Sequence, residues 1–356
     1  MKAIEVIHAW GRILRGYRPS LSIEITRECP LRCPGCYAYE DNHLGGGTTL
    51  RQLSDFKGEA LVRGVLEVVD RYKPLHTSIV GGDPLVRYRE LEEMLPLLVK
   101  KTHVQLVTSA FREVPARWAQ LENFNVVVSI DGLPEEHNAR RAPATYDRIL
   151  KSLAGHDRFI TVHCTLTGQI MKRAGYLEEF VKFWSDRPEV KKIWFSIFTP
   201  QMGDELPEIL TKAERAYAVE EILRLRKIYP RLEMPEGLVK EFLKPPTSPE
   251  KCIFAQTTHT LSADLKTRIT PCQFGGQPDC SQCGCVASMA LAAVGDHKVL
   301  GPLTAGQIFW VSTAIGRRFD AVKAPPAPPR NVVTTIVGPA QTGAGEANNA
   351  PVASAR

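Results

Sequence analysis

The stretch ECPLRCPGCYAY, residues 28–39, sets Cys29, Cys33 and Cys36 within eight positions, directly after the β-branched run LSIEIT at 21–26. A short run of that composition reads as a strand, and the proline and glycine after it read as a loop. In barrel-like α/β folds, chemistry gathers on loops at the carboxyl ends of strands. The position of these thiols therefore bears on the fold as much as on the chemistry.

Outward from this stretch the same pattern repeats. Strand-like runs fall at 76–82, 103–109, 125–132, 159–166 and 192–198. Helical patterns lie between them near 58–72, 88–101, 115–122, 145–154 and 175–185, and again at 211–229, where Thr211 stands as a cap. Six such alternations predict parallel βα units. The expected fold class is α/β: a partial (β/α)6 TIM-like barrel with a small C-terminal cysteine-rich auxiliary domain. The expected divisions are an amphipathic helix in 1–19, the barrel core in 20–235, an auxiliary region in 236–295 and a helical segment in 296–323. Residues 324–356, Pro-rich and then Ala/Gly/Asn-rich, have no apolar period and are expected to be disordered.

The 356 residues are 44% hydrophobic and 24% charged, enough for one large core. A net charge of +6 selects no partner by itself. The basic residues lack the clustered aromatic interleaving of a nucleic-acid binder, so nucleic acid is not expected. There is no run of eighteen apolar residues and no signal-peptide core. A cytoplasmic chain is expected, and in that reducing compartment clustered cysteines hold metal more often than they form disulfides.

Thiolates are soft ligands that select zinc or iron–sulfur iron. A structural zinc takes four protein ligands, and His43 is the nearest candidate for a Cys₃His site. Without a fourth protein ligand, three thiolates on a four-iron cluster leave one iron open, as a catalytic metal requires.

Two further motifs follow at the ends of later strands: GGDPL at 81–85 and SIDGLPEEHNARR at 129–141. With Cys29-x3-Cys33-x2-Cys36 they resemble, in order and position, the motifs of the radical S-adenosylmethionine (SAM) superfamily, over about residues 20–230. The resemblance implies a 4Fe–4S cluster on Cys29, Cys33 and Cys36 whose open iron chelates SAM. It implies reductive SAM cleavage to a 5′-deoxyadenosyl radical that abstracts hydrogen from an unactivated C–H bond. It also implies a one-electron reductant such as flavodoxin or ferredoxin. The SAM site would comprise Gly81, Gly82, Asp83, Ser129 and Arg141, with Tyr37 over the adenine. The residue types suit these tasks: glycines admit close backbone approach, a carboxylate suits an ammonium, and a guanidinium fork suits a carboxylate. Two departures stand out. Gly35 occupies the position before the third cysteine where the family has an aromatic residue, and Asp83 is one methylene shorter than the family glutamate.

A second group holds Cys252, Cys272, Cys280, Cys283 and Cys285. LSADLKTRITPC, 261–272, predicts a β-hairpin ending on Cys272. This region resembles the SPASM or twitch extension of radical SAM enzymes and implies an auxiliary iron–sulfur cluster. Cys252, Cys272, Cys280 and Cys283 are the expected ligands, with Cys285 spare or exchanging with Cys280. A zinc ribbon is the alternative, and a non-catalytic scaffold or electron carrier is the alternative from another class. Cys164, inside predicted strand five, reads as a buried apolar thiol or as a hydrogen donor in the lumen. His163 and Thr165 take the opposite face from it.

The substrate is least legible. The N-terminal segment sets Trp10 and Tyr17 beside Arg12, Arg15 and Arg18, and IFWVSTAIGRR at 308–318 ends on paired arginines. Both resemble segments that lie on an anionic membrane; packing on the barrel is the alternative. The first reading points to peripheral membrane contact and a lipid or isoprenoid substrate. A peptide is the rival, since SPASM-type enzymes modify peptides, and other small molecules fit the same chemistry.

Overall fold

The computed structural model describes residues 3–40, 43–45, 48–143 and 146–319. Residues 1–323 form one compact unit, and the tail expected to be disordered lies outside the described residues. Six strands follow one another across a parallel sheet: β1 (Ser20–Glu24), β2 (His76–Val80), β3 (His103–Thr108), β4 (Phe124–Ser129), β5 (Ile160–Leu166) and β6 (Val190–Ile197). Helices Gly58–Tyr72, Tyr88–Leu98, Tyr146–Leu153, Tyr176–Ser185 and Lys212–Ile228 lie where the periodicity predicts them, whereas 115–122 yields only the short 3₁₀ turn Ala116–Gln120. Thr211 caps its helix reciprocally: its hydroxyl accepts from the Glu214 N–H at 3.2 Å, and the Glu214 carboxylate accepts from the Thr211 N–H at 2.8 Å.

A seventh strand departs from the expectation. β7 (Thr258–Leu261) comes from the cysteine-rich part of the chain and runs parallel to β1, giving the order β6-β5-β4-β3-β2-β1-β7. The predicted hairpin survives as one antiparallel bridge, Leu261 with Arg268, but its first arm belongs to the main sheet. The short, polar run THTL carries little strand signal, and burial against β1 makes it one. Near the C-terminus, helices Val286–Gly295 and Ala305–Gly316 are separated at Gly301-Pro302, where a small hairpin of β8 (Lys298–Leu300) and β9 (Leu303–Thr304) intervenes.

Register and the two-residue period divide the strand residues. Leu21, Ile23, Ile79, Leu106, Val126, Val162 and Phe195 are buried in the core. Cys164 is there too, so the lumen-facing hydrogen-donor reading of this thiol is corrected: the lumen side of β5 carries Thr161, His163 and Thr165. Ser22, Ser78, Gln105 and Asn125 are matched in register across β1 to β4, as are Ser129, His163 and Trp194 across β4 to β6. The inner face is thus largely polar.

One inward side chain ties the sheet to the cysteine-rich region. Glu24 is buried; its Oε2 accepts from Ser262 Oγ at 2.6 Å and its Oε1 lies 3.0 Å from His43 Nε2. His43 Nδ1 lies 3.0 Å from the Phe274 carbonyl. Both ring nitrogens therefore face oxygens that accept hydrogen bonds, so His43 is an imidazolium. Burial alone would lower its pKa, but the Glu24 hydrogen bond and charge outweigh burial and raise it.

A histidine with a raised pKa contributes its stabilisation fully below the unfolded value near 6.5 and loses it as pH climbs through the folded value. In the metal-free chain, the difference in urea midpoint between wild type and His43→Gln is expected to shrink as pH rises above neutrality. A difference that stays constant with pH would refute the imidazolium assignment.

Candidate functional site

The loop after β1 is braced on its outer side. Thr26 Oγ1 donates to Asp55 Oδ2 at 2.9 Å. The nearly buried Arg87 bridges Asp55 at 2.7 Å and Glu28 at 3.0 Å, and Lys57 reaches Glu28 at 2.8 Å. Hydrogen bonds from Arg87 and then Lys57 hold the Glu28 carboxyl down to about 2. The Tyr39 hydroxyl donates to the Arg27 carbonyl at 3.0 Å, closing the loop on itself. Inside it, Cys29, Cys33 and Cys36 are part-buried and close enough to affect one another's ionisation. Burial pushes the Cys29 thiol up to about 12 and raises Cys33 and Cys36, with Arg141 opposing the rise at the last two. Thiols in this state become ligands when a cation replaces their protons.

His43 has no lone pair to offer, because both ring nitrogens are engaged. The Cys₃His zinc alternative therefore fails, and the loop presents three soft donors, which fit a cluster with one open iron.

The GGDP turn packs on this loop. The Gly82 N–H donates to the Thr26 carbonyl and the Asp83 N–H to the Glu28 carbonyl, both at 2.9 Å. A Cβ on Gly82 would lie 2.1 Å from the Glu28 carbonyl oxygen, and one on Gly81 would lie 2.7 Å from that of Thr26. The close approach that requires these glycines is thus to the cysteine loop itself, where sequence reasoning assigned it to a ligand. Asp83 also differs from expectation. Its Oδ1 accepts from the Leu85 N–H at 3.0 Å and Thr108 Oγ1 at 2.7 Å. Its Oδ2 accepts from the Ser109 N–H at 3.0 Å and from Ser109 Oγ. A carboxylate has about four lone-pair sites, and protein donors fill all of them. Asp83 is a buried cap joining β2 to β3 rather than a free acceptor for an ammonium group.

Ser129 closes β4 opposite His163. Beyond it, buried Asp131 holds Arg141 Nε at 2.9 Å and Arg140 Nε at 3.3 Å. These arginines outweigh burial and lower the Asp131 pKa. Arg141 therefore stands beside Cys33 and Cys36 on a fixed carboxylate, with a guanidinium suited to an anionic group. Tyr37 turns away from the role given to it. Its ring meets His43 and Phe274, each at 5.5 Å between centroids, and its hydroxyl senses Glu24, Cys36, Cys285 and Cys272. It separates the two cysteine groups instead of lying open to an adenine.

The second group surrounds one small cavity, lined by Cys252, Cys272, Cys280, Cys283 and Cys285 with Thr199, Phe274 and Ser288 among the other walls. Gly284 seats it on the barrel. Its N–H donates to Thr199 Oγ1 at 2.9 Å, its carbonyl accepts from the Ile197 N–H at 2.9 Å, and a Cβ would lie 2.0 Å from the Ile197 carbonyl. Burial pushes Cys272 up to about 12 and Cys280 up to about 11. Among the described residues no three His, Cys, Asp or Glu converge on a single ion. The thiols ring a space, and that donor set fits an iron–sulfur cluster. Cys285 Sγ accepts from Gln273 Nε2 at 3.4 Å, and Cys252 Sγ lies 3.2 Å from Ser288 Oγ.

Sequence reasoning missed a chain linking lumen to rim: His163 Nε2 meets Ser196 Oγ at 2.8 Å, and Ser196 Oγ accepts from the Val286 N–H at 3.2 Å. Alternation in KIWFSIF places Ser196 inward, but its partner lies ninety residues on and gives no local signal.

Residues 23–183 match the sequence profile of the Radical SAM superfamily. No curated protein matches the chain. Among solved structures, anSMEcpe with bound AdoMet is 15% identical with a TM-score of 0.53, over 85% of this chain and 84% of that one. The same protein with bound AdoMet and Cp18Cys peptide gives 15% and 0.52, over 85% and 83%. Streptococcus suis SuiB bound to S-adenosylmethionine gives 14% and 0.49, over 73% and 60%, so the chain spans three fifths of SuiB's length. The anSMEcpe likeness is one of fold.

Removing the Asp83 carboxylate strands several buried donors, each worth about 1–3 kcal/mol. Asp83→Ala is expected to lower unfolding stability of the metal-free chain by about 3 kcal/mol. Wild-type stability combined with weakened SAM binding would instead restore the ammonium role.

Proposed function

We propose that this chain, whose residues 23–183 belong to the radical SAM superfamily, is an enzyme with a second, auxiliary iron–sulfur site and a polar, peptide-like substrate. The observation that carries the reading is the juxtaposition of two thiol sets at the sheet's carboxyl end, three on the β1 loop and five around a cavity seated on β6. Bound there, a 4Fe–4S cluster and SAM supply the electron and the 5′-deoxyadenosyl radical that takes hydrogen from an unactivated C–H bond.

The chain's own residues divide the remaining work. Cys29, Cys33 and Cys36 hold the cluster and leave one iron for SAM. Arg141, fixed by Asp131, and Ser129 would hold the polar end of SAM. Four of the five C-terminal cysteines ligate the auxiliary cluster. Electrons arrive from a reductant of the flavodoxin or ferredoxin class.

The lumen argues for the substrate. An isoprenoid chain would find no apolar complement in the Ser129, Thr161, His163 and Thr165 face, whereas a polar substrate can hydrogen-bond there. A peptide brings a donor and an acceptor at every residue. Burial pushes His163 down to about 4, so at neutral pH it is an uncharged hydrogen-bonding partner. The anSMEcpe structure with bound Cp18Cys peptide supports the same reading.

Anaerobic reconstitution is expected to load about eight irons per chain, as two four-iron clusters require. With dithionite and SAM the loaded protein should release 5′-deoxyadenosine. Cys33→Ala should abolish release and halve the iron, whereas Cys272→Ala with Cys283→Ala should halve the iron and leave SAM cleavage measurable. Bound zinc without SAM turnover would sink the proposal.

A further inference from the structure

Helix Ala3–Leu14 and helix Ala305–Gly316 pack on one another so closely that a Cβ on Gly316 would lie 1.9 Å from the Ile13 carbonyl. Ile13 and Phe309 are buried. The packing alternative for these segments is therefore correct for their inner faces, but their outer faces remain uncovered among the described residues. Among all the described residues fourteen large apolar side chains are exposed, and eight belong to these helices, the β8–β9 hairpin and Phe319. Val311 (62%) and Ile315 (42%) lie one turn apart on the helix, and Phe319 (67%) follows three residues past its end, extending this apolar stripe. Leu300, on the hairpin that leads into this helix, is 78% exposed. A concentration of this kind marks an interaction surface.

The charges around it are mostly positive. Residues 1–19 contain four Lys or Arg and one Glu, and residues 297–319 contain three Lys or Arg and no Asp or Glu. Their combined charge equals the net +6 of the whole chain, so the remainder is neutral. Arg15, Lys298, Arg317 and Arg318 are exposed and form no ion pair among the described residues.

We propose that this face docks on an anionic lipid bilayer, with the Val311–Ile315–Phe319 stripe and the Leu300 hairpin entering the headgroup boundary and the arginines and Lys298 meeting lipid phosphates. Apolar side chains rimmed by long cationic ones suit that interface, since the stems lie along apolar surface while the charged ends reach the headgroups. A second copy fits poorly, because a two-fold contact would set the same cations against each other. Among the described residues no helix is long and apolar enough to cross a membrane, so the contact lies on the surface. The proposal goes beyond the radical chemistry and does not depend on it.

Flotation of the full-length chain with vesicles tests it. Binding is expected to an equal mixture of phosphatidylcholine and phosphatidylglycerol, to weaken with added salt, and to be absent with phosphatidylcholine alone. Arg317→Gln with Arg318→Gln should weaken binding about 30-fold, at about 1 kcal/mol per cation near an anionic surface. Val311→Asp with Phe319→Asp should abolish it, with thermal melting unchanged because both positions are exposed. No binding by wild type, equal binding to both vesicles, or unaltered binding by either variant would overturn the proposal. So would a wild-type dimer in solution that Val311→Asp dissociates, since the face would then belong to a second copy. Neither iron nor SAM enters these measurements, so their failure is separate from failure of the radical SAM reading.

Discussion

Two backbone contacts that leave no room for a side chain hold the reactive end together: Gly82 against Glu28, and Gly284 against Ile197. Each sets a turn directly on the end of the first or sixth strand, and each carries cysteines with it. The first fixes the shape of the Cys29–Cys36 loop, whose own hydrogen bonds are few. The second places Cys283 and Cys285 on the barrel rim instead of on a tethered module. A Cβ at either point forces backbone to move, because the opposing atom is a carbonyl and not a flexible side chain. The buried Glu24–His43–Phe274 chain adds a third attachment, running from the first strand to the segment after Cys272. The two thiol sets thus share one frame, with Tyr37 and Phe274 filling the space between them.

That frame is electrostatically costly until it is loaded. Burial raises Cys29, Cys33 and Cys36 in the first group and Cys272, Cys280, Cys283 and Cys285 in the second, and the cations near the first group, chiefly Arg141, offset only part of the rise. Neutral thiols are poor ligands, so metal entry must expel protons, and the charge of the metal replaces the solvation the thiolates lack. Arg141 cannot drift to neutralise a thiolate, since Asp131 holds it. The loop thereby carries one fixed guanidinium beside Cys33 and Cys36.

Much of this was legible from local pattern. The six parallel strands, five of the helices between and after them, the Thr211 cap and both cysteine groups announce themselves through periodicity and spacing within short windows. What stayed hidden depends on contacts between distant residues. β7 is a strand because β1 lies beside it, not because THTL prefers to be one. His43 is in sequence only the nearest candidate for the alternative Cys₃His site and turns out to be a doubly bonded imidazolium, because its partners Glu24 and Phe274 are far away in the chain. Asp83 matches the position of a ligand-holding acid, yet Thr108 and Ser109 from the next strand complete its coordination. Motif position located the right turn in each case, and only the tertiary partners decided what the side chain does there.

The inner face of the sheet shows how a single alternation sets chemical character. In β5, a shift of one residue would bring Val162 and Cys164 into the lumen and send His163 and Thr165 among the helices. The helix side excludes that register, since Cys164 and Val162 pack in a core shared with Trp184 and Phe180, where an imidazole would lack partners. Burial of the outer face therefore forces the polar face inward. A face lined this way offers directed hydrogen bonds, which fix orientation better than an apolar wall that allows sliding and rotation. The polar character of the inner face is in this sense a consequence of how the outer core packs.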